Sequence, residues 1–420
     1  MAKKSKKELT KVKVQKEKKP SFFKKLVSFL KKIHLYKNSD STINMVVFVL
    51  ICFGSFMIIS TDVGQTASDS TYVLKAFGKQ ILFVFVSYVA MFFANRIFTF
   101  KWFAPLQWLA IVGTCALLFS TQFFEEIGGS RAWIRFGSIS IQPSEFAKPV
   151  MILLVASAVY LAKRHPHRLE SWSSFYRTPL IAFLAILLLI LIQKDTGTLV
   201  IIFMITYICV LIPDYPCTRG LKKFMKWAFF IGIISILVLF VFTDIGTEFL
   251  AQTPLSHIVT RIENCKNPYE DVYGDGYQPA NALYGIANSN IFGRGIGGSA
   301  RKFGYLSQAD SDYIFAVIIE ETGIFGLFGI VILYIILLAR LFKYAFKTNE
   351  IEYKVVLVGN AAYLFLHFFI NIGGVISLIP MTGVPLLFIS SGGSSLMAIC
   401  VMIGISQKCI SAIRNNEMEE

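Results

Sequence analysis

Long apolar stretches separated by short polar ones run through the chain from residue 43 onward. Ten of them approach the ~20 residues that an α-helix needs to cross a bilayer. They lie at residues 43–60, 76–96, 103–121, 144–162, 178–193, 197–213, 225–243, 312–342, 355–376 and 394–413. The pattern predicts an all-α integral membrane protein whose ten transmembrane helices fall within residues 41–413.

Two connections between these stretches differ from ordinary loops. Residues 244–311 are long and polar, and they separate the seventh predicted span from the eighth. Residues 377–393 are apolar, but prolines and glycines interrupt them: Pro380, Gly383, Pro385, Gly392 and Gly393. Irregular backbone at membrane depth is tolerated where it lines a cavity inside the protein. We therefore expect a long outer loop at 244–311 and a re-entrant outer segment just before the tenth span.

Composition and charge support a membrane protein and exclude a soluble enzyme. Only 16% of the residues are charged and the mean hydropathy is +0.60, whereas an ordinary soluble domain has roughly 25% charged residues. The net charge of +15 is concentrated in residues 1–40, which contain 14 lysines. We expect a disordered basic tail at 1–20 and an interfacial amphipathic helix at 21–40, with a solvated basic arm as the alternative. This charge indicates membrane topology, and no nucleic-acid partner is predicted.

The distribution of cations also predicts the orientation of the chain. If the basic tail is cytoplasmic, 30 of the 41 Lys and Arg residues lie on inner segments, as the positive-inside rule requires. Both termini, including a short C-terminal stretch at 414–420, are then cytoplasmic. The protein is predicted to be a multi-pass cell membrane protein with its polar loops 122–143 and 244–311 outside.

Metal, disulfide and nucleotide sites find little support in the sequence. The seven cysteines form no CxxC pair and the five histidines are scattered, so neither a zinc site nor a disulfide framework is indicated. The glycines of residues 293–298 resemble a phosphate-binding loop, but no strand-turn-helix context surrounds them. No cofactor is predicted from these patterns.

Two charged motifs near predicted helix ends are candidates for chemistry. Glu145 and Lys148 stand three residues apart and therefore share one helix face; they form either a structural ion pair or a substrate contact. Asp195 lies in the turn between two short spans. Capping of turn amides is the favoured role for Asp195, with substrate contact as the alternative.

Asp312 is the carboxylate of greatest interest, because it lies where the long outer loop enters an apolar run. The amides and dipole of a helix N-terminus would keep it ionised, and an ionised carboxylate facing an outer cavity can act as a general base. The alternative, favoured by these considerations alone, is a simple helix N-cap. Glu320 and Glu321 lie deeper in the same run and need partners.

Five strings in the chain, taken together, resemble the SEDS family of shape, elongation, division and sporulation proteins. They are GGSRAWIRFGSISIQPSEFAK at 128–148, QKDTGT at 193–198, YGDGYQ at 273–278, NSNIFGRGIGGSARKFGYLSQADSDYIFAVIIEETGIFG at 288–326 and NIGGVISLIPMTGVPLLFISSGGSS at 371–395. The similarity extends over about residues 43–413.

The resemblance implies a peptidoglycan glycosyltransferase that polymerises lipid II onto a nascent glycan strand at the outer face of the cell membrane. It also implies a class B penicillin-binding protein, a transpeptidase, as partner, together with other divisome or elongasome proteins. The essential loop aspartate of the family corresponds to Asp312 in the string DSDYIFA. Asp312 is therefore the predicted catalytic base, rather than only a helix cap.

The implied reaction is a single displacement that inverts the anomeric carbon, with a cation-stabilised pyrophosphate as leaving group. A divalent cation, Mg²⁺ or Mn²⁺, is compatible with this chemistry, although no ligand cluster in the sequence requires one. Trp133 can stack on a sugar face or anchor the loop at the membrane interface. The predicted substrate-binding residues are Arg131, Trp133, Arg135, Glu145, Lys148, Lys194, Asp195, Gln278 and Ser394.

The sequence departs from the family pattern near the proposed base, where Asp310 and Ser311 replace the usual His-Thr pair. Asp310 is expected to raise the pKa of Asp312 or to share its role. Other departures are Ala132, Lys194 and Ser391. The alternatives to a polymerase are a flippase or transporter of a lipid-linked precursor and a non-catalytic scaffold for a transpeptidase. The motifs leave elongation, division and sporulation all open.

Overall fold

The structure is a computed structural model that describes residues 38–65, 71–126, 129–137, 139–243, 245–252 and 256–419. The predicted tail at 1–20 and most of the predicted interfacial helix at 21–40 lie outside the described residues. Within these ranges, nine helices are long and apolar enough to cross a membrane, and one shorter apolar helix of 16 residues accompanies them. The prediction of an all-α integral membrane protein is confirmed.

The helices are named in chain order. The first seven are α1 (Ser41–Asp62), α2 (Tyr72–Ile97), α3 (Phe100–Ser120), α4 (Pro143–Arg164), α5 (Trp172–Gln193), α6 (Thr196–Leu211) and α7 (Pro216–Ile236). The others are α8 (Ile245–Ala251), α9 (Ser256–Lys266), α10 (Tyr277–Ala287), α11 (Ile314–Lys347), α12 (Ile351–Val375) and α13 (Gly393–Glu419). Helices α8 to α10 lie inside the predicted outer loop, which is therefore partly helical.

The seventh predicted span differs most from its observed helix, whereas the sixth agrees with its helix to within two residues. The sixth predicted span is the short helix α6. Helix α7 begins at Pro216 and passes into a π-helical stretch, Leu237–Phe242. Its first turns carry Lys222, Lys223 and Lys226, so hydropathy alone placed the start of this span nine residues too late, at 225.

Helices α4, α12 and α13 form the buried centre of the bundle. Gly359 on α12 lets the helices approach closely, because a Cβ at this position would lie 2.7 Å from Ile152 on α4 and 2.8 Å from the Cys209 sulfur on α6. Small residues at helix contacts are the usual basis of packing in membranes, where van der Waals contact drives association. These central helices supply most of the side chains that hold the candidate site.

Asp40 joins three helices at the end of the bundle where the termini lie. It caps α1 by accepting hydrogen bonds from the amides of Thr42 and Ile43, at 2.8 and 3.1 Å. Its buried carboxylate also accepts a hydrogen bond from Tyr344 of α11 at 2.7 Å, and it pairs with Arg340 of α11 and Arg414 of α13. The opposite end of the bundle carries the long connections, and we call it the loop end.

Helix α11 breaks at Gly323, whose backbone is left-handed and extended (φ 63°, ψ −151°). The carbonyls of Glu320 and Glu321 lose their helical partners at this break. They accept hydrogen bonds instead from the amides of Arg294 and Gly295, at 2.8 and 3.0 Å. Two amides of the glycine-rich segment 293–298 therefore replace the missing donors at the break in α11. This packing accounts for the glycines of the segment, and no bound nucleotide is needed to explain them.

Replacing Gly323 by alanine is expected to lower the thermal stability of the protein. The residue has a positive φ, and an added Cβ would lie 2.3 Å from the Ile291 carbonyl oxygen. This combination of φ and ψ is nearly restricted to glycine and costs another residue about 1–3 kcal/mol, and the clash adds to it. Thermal unfolding in detergent measures the effect, with Gly329→Ala as the matched control on the same helix, since no heavy atom lies within 4 Å of a Cβ there. Equal melting temperatures for the two variants would contradict the assignment.

A short β-hairpin lies in the connection 122–143, which the sequence analysis treated only as a loop. Strand β1 (Ile134–Phe136) pairs antiparallel with strand β2 (Ile139–Ile141), and Ile134 faces Ile141 in the register. Gly137 directly follows β1 and has a positive φ of 59°. Alternating apolar residues around a two-residue Gly-containing turn are a hairpin signal that the helix-scale search missed.

Candidate active site

Asp312 lies in the turn just before α11, at the loop end of the bundle. The N-cap position of α11 is Tyr313, which makes no side-chain capping hydrogen bond. Asp312 is a half-buried residue, and its carboxylate accepts no hydrogen bond from the described residues. The N-cap alternative for Asp312 is therefore wrong, and its carboxylate is available for other chemistry.

The backbone of Asp312 is fixed against residues 377–392, the segment between α12 and α13, which we call the strap. The Asn371 side-chain amide, on α12, donates to the Asp312 carbonyl at 3.0 Å and to the Val384 carbonyl at 2.9 Å. Gly383 is exposed, and a Cβ there would lie 3.4 Å from an Asp312 carboxylate oxygen. The absence of a side chain at Gly383 leaves this approach to the carboxylate open.

The strap also holds the two residues before Asp312. The Ser390 hydroxyl donates to the Ser311 carbonyl at 2.7 Å, and the Ser391 amide donates to the Asp310 carbonyl at 2.8 Å. The strap has no regular secondary structure, yet its residues from Leu386 to Ser390 are buried. The Ile389 and Ser390 amides donate to the Leu386 carbonyl within the strap, and the Ser391 amide donates to the turn that carries Asp312, so buried backbone groups of the strap find partners.

The electrostatic surroundings raise the pKa of the Asp312 carboxyl to about 6. Loss of hydration is the main cause and the neighbouring Asp310 charge adds to it, while Arg261 opposes both. Burial likewise raises the pKa of Asp310, against a hydrogen bond from Ser391 and the charge of Lys79. Desolvation and the like charge outweigh the dipole of the helix N-terminus, so the pKa of Asp312 is raised rather than lowered. A carboxyl with a pKa of about 6 is still mostly ionised at neutral pH, as the sequence led us to expect.

Asp195 and Ser394 meet through Gln142, a residue that the sequence analysis did not select. Asp195 caps α6 by accepting from the Thr198 amide at 3.1 Å, and it accepts a second hydrogen bond from the Gln142 side chain at 2.9 Å. The Gln142 amide donates to the Ser394 hydroxyl at 3.2 Å. The turn-capping interpretation of Asp195 agrees with this geometry. The sequence does place Gln142 directly before Pro143, which starts α4, and this position could have indicated that Gln142 lies at the helix end near the site.

Two predicted cations, Arg131 and Lys194, converge on one acid. Arg131 lies 3.4 Å and Lys194 3.6 Å from the two carboxylate oxygens of Glu126. Both cations are about half exposed, so these surface pairs are weak and exchangeable. A phosphate-bearing ligand at this rim can compete with Glu126 for either cation.

Glu145 and Lys148 form a buried ion pair with an Nζ–Oε1 distance of 2.7 Å. The Tyr363 hydroxyl donates to the second Glu145 oxygen at 3.1 Å, and Lys148 lies 2.9 Å from His367 Nε2. Both charged side chains are essentially inaccessible. This geometry favours the structural alternative for the pair over direct substrate contact.

The other predicted binding residues lie at the loop end without recorded contact to the proposed base. Trp133 is partly exposed just before β1, Arg135 is exposed on β1, and Gln278 is partly exposed in the first turn of α10. Within the described ranges, no hydrogen bond or ion pair joins these three residues to Asp312. Instead, Arg261 and Lys79 are the cations whose charges act on Asp312 and Asp310, and the sequence analysis had singled out neither.

Glu320 and Glu321 have the partners that the sequence analysis required. Lys302 pairs with Glu321 at 2.9 Å with both side chains buried, and the Ser60 hydroxyl of α1 also reaches Glu321. The Ser299 hydroxyl donates to Glu320 at 2.5 Å. These contacts anchor the loop that precedes Asp312 to α1 and α11.

The part of the chain that the structure describes contains no group of three or more His, Cys, Asp or Glu side chains arranged to hold a metal ion.

Comparison with known proteins shows to which family this chain belongs. The profile of the FtsW/RodA/SpoVE family, described as cell cycle proteins, matches residues 40–415. "Probable peptidoglycan glycosyltransferase FtsW" of Bacillus subtilis is 32% identical over 374 residues, which cover 88% of this chain and 90% of that protein. "Stage V sporulation protein E" of the same organism is 30% identical over 373 residues, covering 87% and 95% of the two chains.

Solved structures share the fold. A chain of a peptidoglycan synthase complex, described for its coordination of polymerization and crosslinking, superposes with a TM-score of 0.66 at 23% identity, covering 90% of this chain and 99% of that one. The rod shape determining protein RodA of Thermus thermophilus superposes with a TM-score of 0.58 at 21% identity, covering 90% and 97%. The family match extends over nearly all the described residues, including Asp312 and the strap, and we conclude that this chain belongs to the FtsW/RodA/SpoVE (SEDS) family.

Proposed function

We propose that this protein is a peptidoglycan glycosyltransferase that polymerises lipid II in cell division or elongation. The observation that carries the proposal is Asp312, a half-buried residue whose carboxyl has a pKa of about 6 and whose backbone is fixed at the loop end. Such a group is largely ionised at neutral pH and remains basic enough to accept a proton. The names of the relatives, which include peptidoglycan glycosyltransferases, support the same chemistry.

In the proposed reaction Asp312 removes the proton from the acceptor sugar's 4-hydroxyl as its oxygen attacks the anomeric carbon of the donor. The bond from that carbon to the lipid pyrophosphate breaks, and the pyrophosphate leaves with the bonding electrons. One displacement inverts the anomeric centre, so no second carboxylate nucleophile is needed. The leaving group needs positive charge, and Arg261, Lys79, Arg131 and Lys194 are the cations proposed to supply it.

The remaining predicted contacts fit the same end of the bundle. We assign Trp133 and Gln278 to sugar contacts and Arg135 to pyrophosphate or peptide contacts. Asp195 and Ser394 are assigned, through Gln142, to shaping the floor of the site. Glu145 and Lys148 are assigned a positioning role, since their side chains are buried.

We assign the loop end to the outer face of the cell membrane and both termini to the cytoplasm. The asymmetric distribution of Lys and Arg supports this orientation. A class B penicillin-binding protein is the proposed partner, because polymerised strands need a crosslinking enzyme. The structural similarity to a chain of a synthase complex is consistent with such a pairing.

The test uses the purified protein in liposomes with fluorescent lipid II supplied on both sides of the bilayer. A polymerase is expected to produce a ladder of glycan chains that a muramidase digests. Movement of lipid II across the bilayer without a ladder would favour the transporter alternative. Absence of both activities, for the protein alone and with a class B penicillin-binding protein added, would favour the scaffold.

Asp310→Asn is expected to shift the acidic limb of the pH–rate profile to lower pH. Asp310 raises the pKa of Asp312 by like-charge repulsion, so neutralising it lowers that pKa and ionises the base at lower pH. In the wild type the rate should fall as the pH drops through about 6. Polymerisation rates measured from pH 4.5 to 8 test this, and an unshifted or upward-shifted limb would contradict the assigned coupling.

A further inference from the structure

Two side chains on one face of α12 hold consecutive carbonyls of the strap. His367 and Asn371 are four residues apart and therefore lie one helical turn from each other. Asn371 donates to the Val384 carbonyl at 2.9 Å, and His367 Nδ1 lies 3.0 Å from the Pro385 carbonyl oxygen. Together they fix the peptide units next to Gly383, which borders the Asp312 carboxylate.

The hydrogen bonds of His367 determine its tautomer. A carbonyl oxygen only accepts, so Nδ1 carries the proton toward Pro385. Nε2 then presents a lone pair, and the Lys148 ammonium donates to it at 2.9 Å. A cationic imidazole would place an N–H against that ammonium, so the two contacts fit only the neutral ring. The imidazole therefore couples a buried cation on α4 to the strap.

Lys148 is itself held by Glu145 at 2.7 Å, and Glu145 accepts from Tyr363 at 3.1 Å. The result is one continuous series of hydrogen bonds from Tyr363 through Glu145, Lys148 and His367 to the Pro385 carbonyl. Buried networks in which each member has a partner rigidify their surroundings. The ionic groups of this series are inaccessible to solvent, so they do not exchange partners as surface ion pairs do.

We propose that His367 is a positioning residue for Asp312. Its two hydrogen bonds connect the Glu145–Lys148 ion pair to the strap. The strap in turn holds the turn that carries Asp312 in its reactive position. This inference rests on the proposed polymerase function, but its structural part, the fixing of the strap by His367, can be tested without any activity.

The strap needs such anchors because it lacks regular structure of its own. Ser390 and Ser391 on the strap bind the carbonyls of Ser311 and Asp310, so a displaced strap moves the turn that carries the base. A displacement of about 1 Å in a catalytic group can lower a rate by about 10²-fold. His367 can therefore influence the reaction strongly while touching neither sugar nor phosphate.

The test compares His367→Leu and His367→Phe, which remove both hydrogen bonds, with His367→Gln, whose amide can donate to Pro385 and accept from Lys148. His167→Leu is the matched control, since His167 is exposed near the opposite end of α4. We expect Leu and Phe to lower kcat for lipid II polymerisation by about 10- to 100-fold with KM little changed. Gln should restore most of kcat, and the control should match the wild type.

Hydrogen–deuterium exchange of the protein in nanodiscs gives a second readout that does not depend on polymerisation. The amides of Leu386, Ile389, Ser390 and Ser391 are hydrogen-bonded in the structure. We expect faster exchange over residues 384–391 in the Leu and Phe variants, and wild-type exchange in the Gln and control variants. The Phe variant keeps the volume of the imidazole ring. If the smaller Leu variant fails to fold, the Phe variant still tests whether the hydrogen bonds of His367 fix the strap.

The outcomes separate the inference from the function. If the wild type and all variants fail to polymerise while exchange rises in Leu and Phe alone, the polymerase proposal fails and the anchoring by His367 stands. If the wild type polymerises and the Leu and Phe variants keep both wild-type kcat and wild-type exchange, the inference is overturned. A lowered kcat in these two variants with unchanged exchange also overturns it, since the strap would then not carry the effect.

Discussion

Asp312→Asn is expected to lower the rate of glycan polymerisation by about 10²- to 10⁴-fold, the usual contribution of a general base. Asparagine keeps the shape of the side chain but cannot accept the proton of the attacking hydroxyl. Because the carboxylate makes no hydrogen bond with the described residues, the substitution breaks no contact there that stabilises the fold. The melting temperature in detergent should therefore stay close to that of the wild type while the rate collapses.

Asp275→Asn is the matched control for this experiment. Asp275 belongs to the same long connection and is exposed, so its neutralisation changes the loop charge equally without touching the turn before α11. Rates are measured with labelled lipid II at saturating concentration. An Asp312→Asn protein that polymerises within a factor of two of the control would refute the assignment of the base.

Lys302→Met is expected to produce the largest loss of stability among single substitutions in the long connection between α7 and α11. It leaves the buried Glu321 carboxylate without its cation, and removing one partner of a buried ion pair costs about 3–5 kcal/mol. The Lys302–Glu321 distance is 2.9 Å and both side chains are about 99% buried. The substitution should lower the melting temperature and, by loosening the loop before Asp312, also the polymerisation rate.

The double variant Lys302→Met with Glu321→Gln tests the cause of that loss. It removes both charges, and we expect it to recover a large part of the lost stability, because no buried charge is left unpaired. Lys343→Met on the exposed side of α11 is the control for the loss of a lysine. A double variant no more stable than Lys302→Met alone would mean that the ion pair is not the source of the loss.

Local spacing was enough to predict the parts of the site that form within one helix or turn. The interval between Glu145 and Lys148 fixes a shared helix face, and the turn before α6 places Asp195 as a cap, so both follow from a few neighbouring residues. His367 could not be found in this way. Its partner Lys148 is 219 positions away, and only the packing of α4 against α12 brings the two together.

The charge state of Asp312 shows a second limit of sequence reasoning. The helix N-terminus is visible in the sequence, and it argued for a readily ionised carboxylate. Desolvation depends on how the strap covers the turn, which the sequence does not specify. Burial in the folded protein is the main cause of the raised pKa. The neighbouring Asp310 was recognisable from the sequence as a departure from the family pattern, and its charge raises the pKa of Asp312 as expected.

The broken helix α11 shows a third limit. A continuous apolar run of this length predicts a single uninterrupted span, and the glycine within it is compatible with either form. The break depends on partners elsewhere in the chain. The amides of Arg294 and Gly295 donate to the two carbonyls that lose their helical donors at the break. The span was therefore predicted correctly, while its division at Gly323 required the structure.

The central claim, that the Asp312 carboxylate is the base of glycosyl transfer, is tested most directly by the pH–rate profiles of the wild type and Asp312→Asn, measured side by side in liposomes with lipid II. The account predicts a wild-type rate that falls with an apparent pKa of about 6 and a low residual rate in the variant that lacks this acidic limb. A variant that keeps both the rate and the acidic limb of the wild type would contradict it.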